Sequence, residues 1–143
     1  MARGIPGEVI RYFRAVPLFG ALSQRELRTV VQAASEVDEP AGKVLAKEGE
    51  EGREMFVLIR GTARVSRAGR KMRDLGPGDF FGELAMLTRG TRSATVTATS
   101  DVRLFVLGPQ EFERVAGENS KIAVGMLAAV ATRLRDAERS ALH

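Results

Sequence analysis

A middle segment in which one set of hydrophobic residues recurs at every second position, with glycines interrupting this alternation, constrains the fold more than any other feature. The alternation runs through residues 55–65 across Gly61 and returns in residues 94–98 and 102–107. Because successive side chains of a strand point to opposite faces, a period of two indicates strands. Turn residues recur around these runs, at Gly49, Gly52, Gly61, Gly69, Gly76, Pro77 and Gly78. Their close spacing predicts many short strands, which close into a sandwich or barrel.

Helical patterns precede this segment. Ser23 and Glu26 have the S-x-x-E spacing in which a serine hydroxyl and a glutamate carboxylate satisfy free amides of a helix's first turn. A helix over about residues 23–34 is therefore expected. Upstream, apolar residues at steps of three and four predict a short first helix. Pro17 marks its end, because the residue before a proline avoids helical angles.

Helical patterns also follow the strands. Pro109 lies where the first residue of a helix would be, and a short helix continues over residues 110–115. A longer terminal helix carries an apolar stripe formed by Ile122, Met126, Val130, Leu134, Ala137 and Ala141. Two roles remain open for this stripe: docking on the chain's own barrel, or pairing with a second copy in a homodimer.

The length of 143 residues allows one compact domain with a sizeable core. We expect a single domain over residues 1–143, with strands over about 35–107. The helical ends are expected over about residues 7–34 and 109–142.

The composition excludes several classes of chemistry. The chain has no cysteine and a single histidine, the terminal His143. It therefore lacks a disulfide, a thiolate nucleophile and the clustered ligands of a zinc site, so we expect neither an enzyme nor a bound metal. The N-terminus has no signal-peptide core and no apolar run reaches a spanning length, so a cytoplasmic location without a membrane span is expected. The net charge of +4 indicates ordinary solubility rather than nucleic-acid binding.

Basic residues cluster within residues 53–73, where Glu54 is the only acid. The cluster consists of Arg53, Arg60, Arg64, Arg67, Arg70, Lys71 and Arg73. Two interpretations remain open: a solvated sheet surface with its hairpin, or a surface that docks an acidic partner or a membrane.

The segment over residues 82–96 combines groups that suit a phosphate and a sugar. A short apolar helix begins at Gly82-Glu83, and its free amides together with a glycine suit a small anion. Arg92 supplies a planar fork that can form two parallel hydrogen bonds to a phosphate, and the Ser93 hydroxyl adds a donor. Glu83 would repel an anion unless its carboxylate accepts a hydrogen bond from a sugar hydroxyl. A phosphate and a ribose together resolve this conflict.

This segment resembles the phosphate-binding cassette of the cyclic nucleotide-binding domain family, F-G-E-[LI]-A-L-[LI] followed by R-[ST]-A-T-V. Here the two motifs are F-G-E-L-A-M-L over residues 81–87 and R-S-A-T-V over residues 92–96. The similarity covers roughly residues 13–140. It implies an α+β fold: an antiparallel β-roll, jelly-roll-like, flanked by N-terminal helices and a C-terminal hinge and lid helix. It also implies 3′,5′-cyclic AMP (cAMP) or cyclic GMP (cGMP) as the ligand.

The resemblance assigns a role to each matching position. It implies that Arg92 binds the cyclic phosphate with help from Ser93 and Ala94. It implies that Glu83 accepts the ribose 2′-hydroxyl, with backbone groups of Gly82 and Leu84. By register with the family's strands, Val65 and Met72 would line the base pocket, although alternating apolar residues are also typical of a core. Arg133 resembles the arginine that caps the base in channel-type members, and a solvated helix arginine is the alternative.

Two features depart from the family pattern. Thr91 stands where many members have a proline before the phosphate arginine, and Arg89 is close enough to compete for the phosphate. Some members stack an aromatic residue on the base, whereas this chain has no tryptophan and its one tyrosine, Tyr12, is far from the lid segment.

The sequence therefore predicts a regulatory sensor that closes its terminal helix over the nucleotide and signals to a protein effector. The family resemblance favours cAMP over cGMP. The alternative is a degenerate member that binds no nucleotide and acts as an interaction or dimerisation module. A DNA-binding regulator is not expected, because no recognition helix follows the lid segment.

Overall fold

The structure is a computed structural model that describes residues 5–141, apart from the side chains of Leu84, Arg133 and residues 140–141. His143 lies outside the described residues. The helices are α1 Gly7–Ala15, α2 Gln24–Ala33, α3 Glu83–Thr88, α4 Pro109–Glu118 and α5 Ser120–Ala141, with a 3₁₀ turn at Pro17–Phe19. The strands are β1 Ser35–Glu39, β2 Val44–Ala46, β3 Met55–Arg60, β4 Ala63–Arg67, β5 Arg70–Leu75, β6 Phe80–Phe81, β7 Thr95–Ala98 and β8 Val102–Leu107.

The strands form two antiparallel sheets, in the orders β1-β8-β3-β6 and β2-β7-β4-β5. Their inner faces share one hydrophobic cluster, to which Phe56 and Leu104 contribute from the first sheet and Val65 and Val96 from the second. The predicted antiparallel β-roll with flanking helices is confirmed.

A second hydrophobic cluster joins the first sheet to the helices. Met55, Val57 and Ile59 point to this helical side, whereas Phe56 and Leu58 point into the roll. All five side chains are therefore buried, because β3 is covered on both faces. Strand β3 therefore lies between two hydrophobic cores, and its alternate side chains belong to different cores rather than to a core and a solvated face.

The N-terminal helices follow their local signals. The amide of Glu26 donates to Ser23 Oγ at 3.1 Å, and the amide of Ser23 donates to Glu26 Oε1 at 2.8 Å. This reciprocal capping box starts α2, as the S-x-x-E spacing predicted. Helix α1 ends at Ala15, just before the Val16-Pro17 step.

The apolar stripe of the terminal helix divides into two parts. Ile122 and Met126 are buried against the N-terminal helical cluster, where the 3₁₀ turn also lies. Val130 and Leu134 are 42% and 64% exposed. Among the described side chains of the stripe, those in the first turns of α5 therefore dock on the domain, and they dock on the helical segment rather than along the roll.

Candidate functional site

A cavity of about 560 Å³ opens between the β4–β5 hairpin and the segment that contains α3. Its lining residues are Ala46, Val65, Arg67, Met72, Arg73, Phe80, Phe81, Gly82, Glu83, Ala85, Thr88, Thr91, Arg92, Ser93, Ala94 and Val96. The mixture of apolar walls with a few charged groups is typical of small-molecule sites. The cavity volume suits a nucleotide-sized molecule.

The structure brings most of the predicted site residues to this one cavity. Those that line it are Arg92, Ser93, Ala94, Gly82, Glu83, Val65 and Met72. Leu84 belongs to α3, and its side chain lies outside the described residues, as does that of Arg133 in α5. The described lining comes from residues 46–96, so no described side chain of α5 covers the cavity.

Gly82 lets the backbone approach the Arg92 guanidinium closely. It caps α3 in the left-handed region, at φ 87°, where residues with a Cβ are disfavoured. A Cβ at this position would lie 2.5 Å from Arg92 Nη1 and 2.6 Å from the carbonyl oxygen of Glu54. The glycine of the F-G-E motif therefore both permits the turn and keeps the guanidinium beside the start of α3.

The backbone of Arg92 is held against the turn before β3. Its amide donates to the Glu50 carbonyl at 2.8 Å, and its own carbonyl accepts from the Gly49 amide at 2.9 Å. Thr91 forms an isolated β-bridge with Glu51. The loop that lacks the family's proline is thus fixed by backbone hydrogen bonds on both sides of Thr91.

The side chain of Arg92 fills the space above Gly52. A Cβ at Gly52 would overlap the Nε, Cδ and Cζ atoms of Arg92, so this position accepts only glycine without movement of the arginine. Beyond it, the guanidinium carbon lies 5.5 Å from the centroid of the Phe56 ring. Arg92 is 9% exposed.

The buried guanidinium has an unsatisfied donor. Among the described residues, Arg92 Nη1 is buried without a hydrogen-bond partner. Burial lowers the pKa of Arg92 from its ordinary value, and the charge of Glu54 partly opposes that effect. A buried cation with a free donor is costly unless an anion binds it. The arrangement is therefore suited to a phosphate.

Two further charged residues of the cassette segment differ in whether they line the cavity. Glu83 is 8% exposed at the first residue of α3. Arg89, the alternative phosphate partner, does not line the cavity and instead donates from Nη2 to Glu113 Oε1 at 3.0 Å. Of Arg89 and Arg92, only Arg92 therefore lines the cavity.

Two lining arginines were missed as site residues by sequence reasoning, which assigned them only to the basic cluster. Arg67 and Arg73 both line the cavity, and Arg67 Nε donates to the Ser93 carbonyl at 2.9 Å. The signal that could have found Arg67 is the alternation of β4, since it shares the inner face with Ala63 and Val65. Part of the cluster is also paired, because Asp74 contacts Arg64 and Lys71.

The described residues show no group of three acidic or histidine side chains that could hold a metal ion. Among those same residues, no helix combines the length and apolar character needed to cross a bilayer.

Comparison with known proteins identifies the class to which this fold and cavity belong. The sequence model of the cyclic nucleotide-binding domain family matches residues 36–119. The N-terminal domain of a transcriptional regulator from Streptomyces coelicolor superposes with a TM-score of 0.86 at 30% identity, over 92% of this chain and 96% of that one. The chain belongs to the cyclic nucleotide-binding domain family.

Two further similar proteins are of different kinds, and the chain matches only part of each. A cyclic nucleotide-gated potassium channel of Rhizobium etli is 37% identical over 109 residues, which are 76% of this chain and 30% of the channel. The regulatory domain of Toxoplasma gondii protein kinase A, solved with cAMP, has a TM-score of 0.70 at 33% identity, covering 79% of this chain and 46% of that one. The chain thus spans less than a third of the channel's length.

Proposed function

We propose that this domain is a non-catalytic sensor that binds a 3′,5′-cyclic nucleotide in the cavity beside α3. The observation that carries the proposal is the buried guanidinium of Arg92, whose Nη1 has no partner among the described residues and which lines that cavity. The family resemblance favours cAMP over cGMP, and no metal is required. Calorimetric titration with both nucleotides tests the proposal, with saturable binding of at least one as the expected result.

The phosphate subsite consists of Arg92, Ser93 and Ala94. The guanidinium can donate two parallel hydrogen bonds to the phosphate oxygens, which is the strongest geometry available to an arginine. Ser93 is exposed at the cavity and offers a hydroxyl, and the Ala94 backbone adds an amide. The fixed backbone of Arg92 supports this role, since it presents the side chain without prior rearrangement.

The ribose subsite consists of Glu83 with backbone groups of Gly82 and Leu84. A carboxylate at the cavity wall can accept a hydrogen bond from the 2′-hydroxyl, and such a charged hydrogen bond contributes more than a neutral one.

We therefore expect Glu83→Gln to weaken cAMP binding about tenfold, because the amide replaces a charged acceptor with a neutral one. The same variant should bind 2′-deoxy-cAMP as the wild type does, since that ligand lacks the hydroxyl. Calorimetry with both ligands separates the loss of the ribose contact from a general loss of binding. Glu118→Gln, at an exposed position of α4, is the matched control. An equal loss for both ligands would remove Glu83 from the ribose subsite.

The base subsite consists of Val65 and Met72, with Arg133 as the cap. Val65 is 8% exposed and Met72 is 53% exposed at the same cavity, so Met72 has apolar surface available to a purine. Neither side chain offers a hydrogen bond that would distinguish adenine from guanine. Arg133 belongs to α5 and would cap the base in the closed form.

Helix α5 supplies the response. Its described side chains do not line the cavity, and among the described members of its apolar stripe only Ile122 and Met126 are buried. Closure of the outer turns over the nucleotide would create contacts that exist only in the bound state, and such contacts shift the population toward the closed form.

This closure predicts a shorter distance between α5 and the β4–β5 hairpin on nucleotide binding. Because the chain has no cysteine, spin labels at Ala137→Cys and Arg70→Cys report this distance without a background signal. The control pair Arg70→Cys and Gln32→Cys, the latter on α2, should show no change. An unchanged distance between α5 and the hairpin at saturating nucleotide would contradict closure.

An interaction module without nucleotide binding is the second candidate. The observation that favours it is the exposed apolar surface of α5, where Val124, Leu127 and Leu134 are 65%, 70% and 64% exposed. A second copy, in a homodimer, or a protein effector could cover this surface. Sedimentation of the isolated protein distinguishes the two partners, because only a homodimer forms without a second protein. The proposed cytoplasmic location is tested by fractionation of cells that express the protein.

A further inference from the structure

Arg92 lines the cavity without a carboxylate partner in direct contact among the described residues. None of the ion pairs formed by the described residues includes Arg92, and Glu54 acts on it only through its charge. A guanidinium that is 9% exposed still needs compensation for the water it has lost. A group that can provide it is the ring of Phe56, whose centroid lies 5.5 Å from the guanidinium carbon.

The Phe56 ring is itself held in place. It stacks on the Phe81 ring with centroids 4.6 Å apart and planes 15° apart. The two residues are also register partners between β3 and β6, and Phe56 pairs with Val106 of β8 on its other side. Phe56 is 7% exposed and belongs to the inner core of the roll. The ring therefore offers a fixed negative face to the guanidinium.

A ring face and a carboxylate compensate the lost hydration of an arginine's charge in different ways. A carboxylate accepts hydrogen bonds from the N–H groups, so a ligand phosphate would first have to displace it. An aromatic face attracts the cation through its quadrupole and leaves the N–H donors in the guanidinium plane available. The unpartnered Nη1 of Arg92 matches the second case.

We propose that Phe56 is a positioning residue that holds Arg92 by a cation–π interaction, so that its donors stay free for an anionic ligand. Gly52 and Gly82 complete the arrangement, since a Cβ at either position would collide with the arginine side chain. The inference rests on the proposed function, and it adds that ligand affinity depends on the electron density of a side chain in the core behind the arginine.

The test is a series of fluorinated phenylalanines at position 56, with one, two and three fluorines on the ring. Fluorine withdraws electron density from the ring face while it nearly preserves the ring's shape. We expect the affinity for the nucleotide that the wild type binds to fall stepwise, by about fivefold for the trifluoro ring. A purely structural role of Phe56 would not produce a stepwise trend, because packing is nearly constant across the series.

Phe105 provides the matched control. It lies on the neighbouring strand β8 and packs edge-on against Phe13 at 5.9 Å, away from the cavity. Trifluorination of Phe105 should leave the affinity unchanged. A flat series at Phe56, with a wild type that binds nucleotide, would overturn the positioning role alone. A wild type that binds neither cAMP nor cGMP would overturn the proposed function and this inference with it.

A readout without ligand tests the contact itself. The ring of Phe56 should shift the proton resonances of the Arg92 side chain, and Phe56→Leu should abolish that shift. Resonances of Arg92 that are identical in the wild type and in Phe56→Leu would overturn the proposal regardless of any binding result.

Discussion

Replacing Arg92 by alanine is expected to weaken cyclic nucleotide binding at least about tenfold, and about 100-fold if both donors of the guanidinium contact the phosphate. The variant removes the buried cation and leaves the phosphate charge without its partner. Calorimetric titration of the wild type and the variant measures the change in the dissociation constant.

Arg89→Ala is the control for this prediction. Arg89 belongs to the same loop and carries the same charge, but it is exposed and pairs with Glu113. Its removal should change the affinity little, because exposed ion pairs contribute weakly. If Arg92→Ala binds as the wild type does while Arg89→Ala fails to bind, the phosphate is held by Arg89 and the proposed site is wrong.

Replacing Gly52 by alanine is the second change with a large expected effect. The added methyl group would occupy the position of the Arg92 side chain, so the arginine or the turn must move. We expect the nucleotide affinity to fall at least about tenfold and the free energy of unfolding to drop by about 1–3 kcal/mol, the range for overpacked sites. Calorimetry and chemical denaturation measure the two quantities on the same protein.

The effect at Gly52 should be steric rather than conformational. Gly52 is not among the glycines with positive φ, so its backbone angles are accessible to alanine. Gly76 has the same property, and a Cβ there would meet nothing within 4 Å. Gly76→Ala is therefore expected to retain both affinity and stability. Wild-type affinity in Gly52→Ala would show that the observed position of Arg92 is not required for binding.

Much of the fold could be predicted because its signals are local. The capping box at Ser23, the proline at the start of α4 and the alternation in β7 and β8 each depend on residues a few positions apart. That Glu83 and Arg92 line one cavity could be predicted for a similar reason, since the cassette places them within ten residues of sequence. Short-range patterns of this kind need no knowledge of the tertiary structure.

What the sequence did not reveal depends on contacts between distant segments. The approach of Gly52 and Phe56 to Arg92 joins positions about forty residues apart. Alternation puts Arg67 on the inner face of β4, but the presence of a cavity at that position depends on where the distant α3 segment lies. Among the described side chains of the α5 stripe, the N-terminal helical cluster covers those of the first turns, and no periodicity within α5 can indicate this division.

Titration of the wild-type protein with cAMP and cGMP, with 5′-AMP as the control ligand, tests the central claim most directly. The claim is that the cavity beside α3 binds a cyclic phosphate through Arg92. It predicts saturable binding of one nucleotide per chain for at least one cyclic nucleotide, and much weaker binding of the linear 5′-AMP. Absence of binding for both cyclic nucleotides, or equal binding of 5′-AMP, would contradict it.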